Sequence, residues 1–139
     1  MTDRFSFEQS DERIDRARVH RWISEESYWA KGRTRVVQDA AINASRNYGV
    51  WDAHTGEQVA YARVVTDGVT FAWLCDVFVA SDARGNGIGK LLVQGVIADL
   101  EPMGLSRMLL ATADAHGLYA QHGFAVSDDP NRYMIRTMS

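Results

Sequence analysis

Residues Val77–Leu92 read VFVASDARGNGIGKLL. An apolar run ends in a polar turn, glycines stand at 85, 87 and 89, and an apolar pattern at helical spacing begins at Ile88. A strand, a loop and a helix start are thus written in sixteen residues. The first amides of a helix have no partner within it, and the helix dipole favours negative charge there. Glycine admits positive φ and a close approach of backbone to ligand, so the loop is suited to an anion, phosphate above all.

Outward from this junction the elements fall into order. Ile88, Leu91, Leu92, Val96, Ile97 and Leu100 share a helical stripe, and Arg107 to Thr112 follows as a strand after Pro102 and Gly104. That makes a β-α-β crossover and a locally parallel pair. Upstream, Asn47 to Asp52, Gln58 to Thr66 and Thr70 to Val79 are separated by His54-Thr55-Gly56-Glu57 and Asp67-Gly68, the pattern of an antiparallel meander. The last of these strands is apolar on both parities, which predicts a strand buried on both faces, with Asp76 its lone charge. Two helices precede the meander: Asp15 to Ile23, and Thr34 to Ser45 with Val36, Val37, Ala40, Ala41 and Ala44 as its inward stripe. Downstream, Asp114 is placed to cap a helix from Ala115 to Gln121, Gly123 to stop it in the left-handed conformation, and Tyr133 to Thr137 to form a final strand.

The whole chain fits one domain over residues 1–139, with 46% hydrophobic and 24% charged residues and a net charge of -3. No general basic field points to nucleic acid, and no apolar run approaches membrane-spanning length. The opening residues lack a secretory pattern, so a cytoplasmic location is expected. Cys75 is the only cysteine, which excludes an internal disulfide, and no Cys/His cluster has zinc spacing, so no metal is expected. Two phosphate-binding signatures fail: a P-loop would need Gly where Arg84 stands and Ser or Thr where Leu91 stands, and a dinucleotide fingerprint would need Gly at Lys90.

Arg84-Gly85-Asn86-Gly87-Ile88-Gly89 resembles the pyrophosphate-binding motif of the GNAT acetyltransferase superfamily, Arg or Gln followed by two residues, Gly, one residue, and Gly or Ala. His116-Gly117-Leu118-Tyr119-Ala120-Gln121-His122-Gly123-Phe124 is similar to that family's second motif, a Tyr followed by a Gly-Phe pair. The resemblance implies a mixed α/β domain, a mostly antiparallel sheet of six or seven strands with a splayed central parallel pair and about four helices. It implies acetyl-CoA as donor, held by Phe78, Val79, Arg84, Gly85, Asn86, Gly87, Ile88, Gly89, Lys90, Asp114, Gly117 and Tyr119. Dimers are frequent in that family, so a homodimer is compatible with it.

Acyl transfer from a thioester to an amine needs a path for the ammonium proton and a proton for the departing thiolate. Tyr119 matches the family's proton donor; its alternative is an aromatic packed against Phe124. Asp76, flanked by Leu74 and Phe78, is the candidate base, because burial should raise its pKa; its alternative is a structural pair with Arg63. His116 and His122 are further candidates, while Cys75 reads as a small buried apolar residue. Acceptor recognition falls to the N-terminal half, where Tyr28, Trp29 and Ser45 are candidates for a small-molecule or peptide amine. The rival reading is a non-catalytic acyl-CoA-binding or regulatory module, which would keep the glycine loop without depending on Tyr119 or Asp76.

Overall fold

The computed structural model describes residues 3–138. Five strands, β1 (Phe5–Gln9), β2 (Arg46–Asp52), β3 (Gln58–Thr66), β4 (Phe71–Val79) and β5 (Arg107–Leu110), form one sheet in the order β1-β2-β3-β4-β5. All neighbours are antiparallel except β4 and β5, which run parallel. The helices are α1 (Arg16–Arg21), continued by a π-helical turn over Trp22–Glu26, then α2 (Arg35–Asn43), α3 (Ile88–Leu100) and α4 (His116–Ala120). No helix among the described residues is long and apolar enough to cross a membrane.

The meander, the crossover and the parallel pair follow the sequence pattern. β1 does not, although Phe5, Phe7 and Gln9 alternate inward along it; a five-residue strand is a weak signal by itself. The expected strand over Tyr133 to Thr137 is absent, because no strand among the described residues pairs with β5 on its outer side. The sheet therefore has five strands, fewer than the six or seven anticipated.

A bulge in β4 decides which side chains reach which helix. Leu74 pairs with Val64 and Cys75 with Arg63, but Phe78 pairs with Tyr61 and Val79 with Ala60, so Asp76 and Val77 together face Ala62. Asp76 sits at φ 51, the left-handed region in which a non-glycine costs about 1–2 kcal/mol. Leu74 consequently shares a sheet face with Val64, Ala62 and Ala60, whereas Phe78 shares the other with Tyr61.

α3 covers the first face with Ile88, Leu92, Val93, Val96 and Leu100, all buried. Its contact with β1 is close enough that a Cβ on Gly95 would lie 2.5 Å from the Phe7 ring. The second face is covered by α1, the π-helical turn and α2; Trp22 stacks on Phe78 at 5.5 Å between centroids, and Ile23 and Ile42 are buried. Each such fully buried aliphatic side chain contributes about 1.5–3 kcal/mol.

Two burial expectations are corrected. α2 turns Gln38 and Ile42 inward and leaves Val36 and Val37 exposed, because the helix sits at the sheet end where Asn47 and Arg33 need its polar side. β4 is not buried on both faces: Phe71 and Trp73 are exposed, as is Val65 beside Trp73, since α1 and α2 cover only the half of the sheet holding Tyr61 and Phe78.

Candidate active site

At the end of β4 the chain makes a 3-10 turn, Ser81–Ala83, and enters α3 through Arg84-Gly85-Asn86-Gly87. Gly85 and Gly87 have φ of 88° and 73°, so glycine is required at both, and a Cβ at either would meet nothing within 4 Å: the loop opens to solvent. Asn86 ties the loop together by donating from Nδ2 to the Ala83 carbonyl at 2.8 Å. The first bond of α3 is Leu91 N–H to the Gly87 carbonyl at 3.1 Å. The amides of Gly85, Asn86, Gly87, Ile88, Gly89 and Lys90 donate to no acceptor among the described residues. They form a run of free donors at the positive end of a helix 13 residues long. The Arg84 guanidinium donates from Nε to the Val79 carbonyl at 3.1 Å and lies over the Phe78 ring, and Arg84 and Lys90, at the two ends of this loop, are both exposed.

β4 and β5 pair only from Phe71 opposite Arg107 to Leu74 opposite Leu110, then diverge. The backbone of Cys75 to Val79 is thereby unpaired on the β5 side. The Phe78 side chain is in the core, so Phe78 and Val79 present backbone and not side chains to the cleft.

Within the splay lies a cavity of about 240 Å³, walled by Tyr28, Trp29, Trp73, Cys75, Asp76 and Tyr119, with Leu110 to Thr112 and Asp114 on the β5 side. Tyr119 comes from α4, whose end is formed as expected: Gly123 has φ 88°, and Phe124 N–H returns to the Tyr119 carbonyl at 3.2 Å. Phe124 meets the Tyr119 ring edge-on at 5.9 Å. The ring is 8% exposed, yet its hydroxyl has no partner among the described residues. Burial, reinforced by Tyr28 and Asp114, pushes its pKa up to about 12. Both readings of Tyr119, packed ring and available hydroxyl, coexist.

Asp76 is 4% exposed and fully engaged. Trp29 Nε1 donates to Oδ1 at 3.0 Å, and Arg33 Nη1 and Arg63 Nε donate to Oδ2 at 2.7 and 2.9 Å. Burial alone would raise its pKa, but Arg63, Arg33 and the Trp29 hydrogen bond hold the carboxyl below the usual carboxylate range. The expected rise is thus reversed, because two guanidiniums outweigh desolvation. The pair with Arg63 considered from sequence is formed; Arg33, 43 positions away, had no local signal.

The remaining candidates divide by position. Tyr28 and Trp29 line the cavity, packed edge-on at 5.0 Å, and the Tyr28 hydroxyl accepts the Ala113 amide at 3.0 Å. Ser45 lies behind it, accepting from Arg63 at 3.2 Å. Asp114 stands at the cavity rim and does not cap α4; Thr112 Oγ1 accepts the Ala115 amide instead, at 3.0 Å. Gly117 is in open space on α4, and neither His116 nor His122 lines the cavity. Cys75 does line it, and burial pushes its thiol pKa up, partly offset by Arg63.

A splayed parallel pair, a glycine loop of free amides and a buried tyrosine at the cleft describe an acyltransferase architecture. The profile of the acetyltransferase (GNAT) family matches residues 15–124, and the chain belongs to that family. Over 80 residues, 57% of this chain, it is 38% identical to serotonin N-acetyltransferase 2, chloroplastic, of Oryza sativa subsp. japonica, 40% of which is covered. Over 107 residues, 75% of this chain, it is 29% identical to an uncharacterized ycf52-like N-acetyltransferase of Prochlorococcus marinus, 59% of which is covered. The matched stretches thus span only about two-fifths to three-fifths of these curated relatives. A crystal structure of a GNAT-family protein from Xanthomonas campestris pv. campestris superposes with a TM-score of 0.91 at 38% identity, covering 99% of this chain and 96% of that one. An acetyltransferase structure from Deinococcus radiodurans, 17% identical with a TM-score of 0.74 over 99% of this chain and 94% of its own, shares the fold.

Proposed function

We propose that this chain transfers an acetyl group from acetyl-CoA to the primary amine of a small, apolar acceptor by direct attack in a ternary complex. The observation that carries the donor half is the run of free amides from Gly85 to Lys90 at left-handed glycines. These residues fit a pyrophosphate: the concavity is unobstructed, the dipole has the right sign, and Arg84 and Lys90 flank it. The unpaired β4 backbone between Cys75 and Val79 leads from that cradle to the cavity and suits an amide-bearing arm.

Acetyl-CoA supplies an activated acyl thioester. The overall exchange forms an N–C bond and breaks a C–S bond; one proton leaves nitrogen and one joins sulfur. Tyr119, with a pKa of about 12, stays protonated at neutral pH and offers its free hydroxyl as donor. Because a thiol titrates near about 8.5, complete transfer from Tyr119 alone is uphill, so its role is to hydrogen-bond the sulfur as charge develops while the amine's proton restores the balance. Asp114 at the rim offers a carboxylate to an arriving ammonium. Asp76 is occupied by three donors and serves as a positioning residue for Trp29. Cys75, its thiol pKa raised, is unsuited to form an acyl-enzyme, which supports the direct route.

The cavity supports a small acceptor, since about 240 Å³ is below the about 300–1,000 Å³ of drug-sized sites. Its walls of Tyr28, Trp29 and Trp73 favour an amine carrying a flat apolar body. The rice relative's name, a serotonin N-acetyltransferase, agrees with an arylalkylamine, and tryptamine is the first probe. Thiol release from acetyl-CoA with tryptamine, followed with wild type and Tyr119→Phe, tests the reading. Turnover that falls in Tyr119→Phe supports it; tight acetyl-CoA binding with no turnover on any of a panel of aryl- and alkylamines would leave a non-catalytic binding module in its place.

A further inference from the structure

Building on the acyl-transfer reading above, we propose that Tyr28 and Trp29 form a strap across the splay, and that Tyr28 thereby restricts the acceptor to amines carried on an unbranched carbon.

Two adjacent residues reach the two sides of the cleft. Trp29 Nε1 donates to Asp76 on β4, and Tyr28 Oη accepts the Ala113 amide just beyond β5, each at 3.0 Å. β4 and β5 stop pairing at Leu74 and Leu110, so past that point the two sides are joined by the side chains of this dipeptide and not by strand pairing. The base of the strap is fixed. Buried Ser27 Oγ accepts the Ala30 amide at 3.1 Å and donates to the Ile23 carbonyl at 2.6 Å, and Gly32 N–H reaches the Ser24 carbonyl at 2.9 Å. Its two anchors are unequal. Trp29 is tied to a buried carboxylate that two guanidiniums hold, whereas Tyr28 is 57% exposed and its hydroxyl has the Ala113 bond alone among the described residues.

The strap stands over one approach to the cavity. α3 covers the first sheet face, and the donor comes from the cradle beyond Val79. Trp73 and Cys75 turn to the second face, the side of the N-terminal helices, and both line the cavity. An acceptor therefore enters between Trp73 and the strap. A gap between aromatic rings admits a flat body and the methylene that joins it to the nitrogen. A substituent on the carbon bearing the nitrogen leaves that plane and runs into the Tyr28 ring, and the about 240 Å³ already shared with an acyl group leaves little room for it elsewhere. One added carbon in such a site shifts selectivity by about 10–200-fold. Arylalkylamines ending in CH₂–NH₂ fit this rule; α-branched amines and α-amino acids do not.

Tryptamine and α-methyltryptamine differ by that one carbon. Their kcat/KM values with acetyl-CoA, and their calorimetric affinities for the protein in the presence of CoA, are to be compared in wild type, Tyr28→Phe and Tyr28→Ala, each checked for folding by circular dichroism. The wild type should favour tryptamine by at least about 10-fold in both measurements, and Tyr28→Ala by less than about 3-fold. Tyr28→Phe, which keeps the ring but not the anchor, should fall between them. Amide hydrogen exchange at Ala113 should be slow in the wild type and faster in both variants, a readout independent of turnover. A wild type that treats the two amines alike, a preference that survives Tyr28→Ala, or an Ala113 amide that exchanges as fast in the wild type as in Tyr28→Phe would each overturn the proposal. Selective binding of tryptamine that Tyr28→Ala abolishes, with no turnover of any amine, would support the strap and overturn the acyl-transfer reading alone.

Discussion

Trp29 donates its indole N–H to Asp76 across 47 residues, at 3.0 Å, so the aromatic wall of the cavity hangs from the charge that two arginines fix beneath it. Replacing Asp76 by Asn preserves shape and tolerates the left-handed backbone, but it leaves Arg33 and Arg63 without their counter-charge. Breaking a buried pair by removing one partner costs about 3–5 kcal/mol, and the partial exposure of both arginines points to the lower end. Chemical denaturation should report that loss. Steady-state kinetics should show a raised acceptor KM with a kcat pH profile of unchanged shape; a lost basic or acidic limb would make Asp76 a proton carrier after all.

The same cluster sets an acid sensitivity. The Asp76 pKa is depressed in the folded chain, so its contribution to stability is present above the unfolded value of about 3.9 and is lost as pH falls through the folded value. Melting temperatures of wild type and Asp76→Asn between pH 7 and pH 2.5 should converge below about pH 4, where the wild type gives up its advantage. Parallel curves down to pH 2.5 would deny the linkage.

Tyr119→Phe removes a cavity hydroxyl that has no partner among the described residues while keeping the ring that packs on Phe124. Loss of a donor aimed at developing charge costs about 100-fold in kcat. Calorimetric affinity for acetyl-CoA should be unaltered, and with a pKa of about 12 the wild-type kcat should have no basic limb from this group below about pH 11.

Gly87→Trp fills the mouth of the amide cradle and forces a side chain into φ 73°. The backbone strain costs about 1–2 kcal/mol, which the fold withstands, whereas acetyl-CoA affinity should fall by at least about 100-fold. Titration calorimetry on the folded variant decides it, and equal affinities would remove the cradle from the donor site.

Gly95→Ala is a stability control far from chemistry. The added Cβ would sit 2.5 Å from a Phe7 ring that is itself stacked on Tyr48 at 5.7 Å, so neither partner yields easily. Overpacking of this kind costs about 1–3 kcal/mol, read as a lower denaturation midpoint with kcat unchanged.

The glycine loop and the stop of α4 were legible because their signals are local. A glycine that must take positive φ, a helix that starts beside it, and a Tyr that precedes a Gly-Phe stop each declare themselves within a few residues. The cavity beside them is built from distant pairs: Arg33 with Asp76, Trp29 with Asp76, Tyr28 with Ala113. No periodicity encodes those. The pKa of Asp76 was misjudged for that reason, since burial was visible along β4 but the guanidiniums were not. β1 was too short to register, and the strand expected over 133–137 does not form because a segment of strand composition becomes a strand only where a neighbouring backbone pairs with it, which its own sequence does not encode.

The bulge at Asp76 gives β4 two phases. Before it, even-numbered side chains face α3; after it, Phe78 faces the opposite layer and Val79 takes the α3 side. A substitution scan along the strand would therefore show a tolerance pattern that slips by one position at residue 76, and removing that single residue would turn Phe78 and Val79 to each other's layers. Deletions here should be far more damaging than any replacement, so a chain that lengthens or shortens in its loops must keep the count from Phe71 to Val79 fixed.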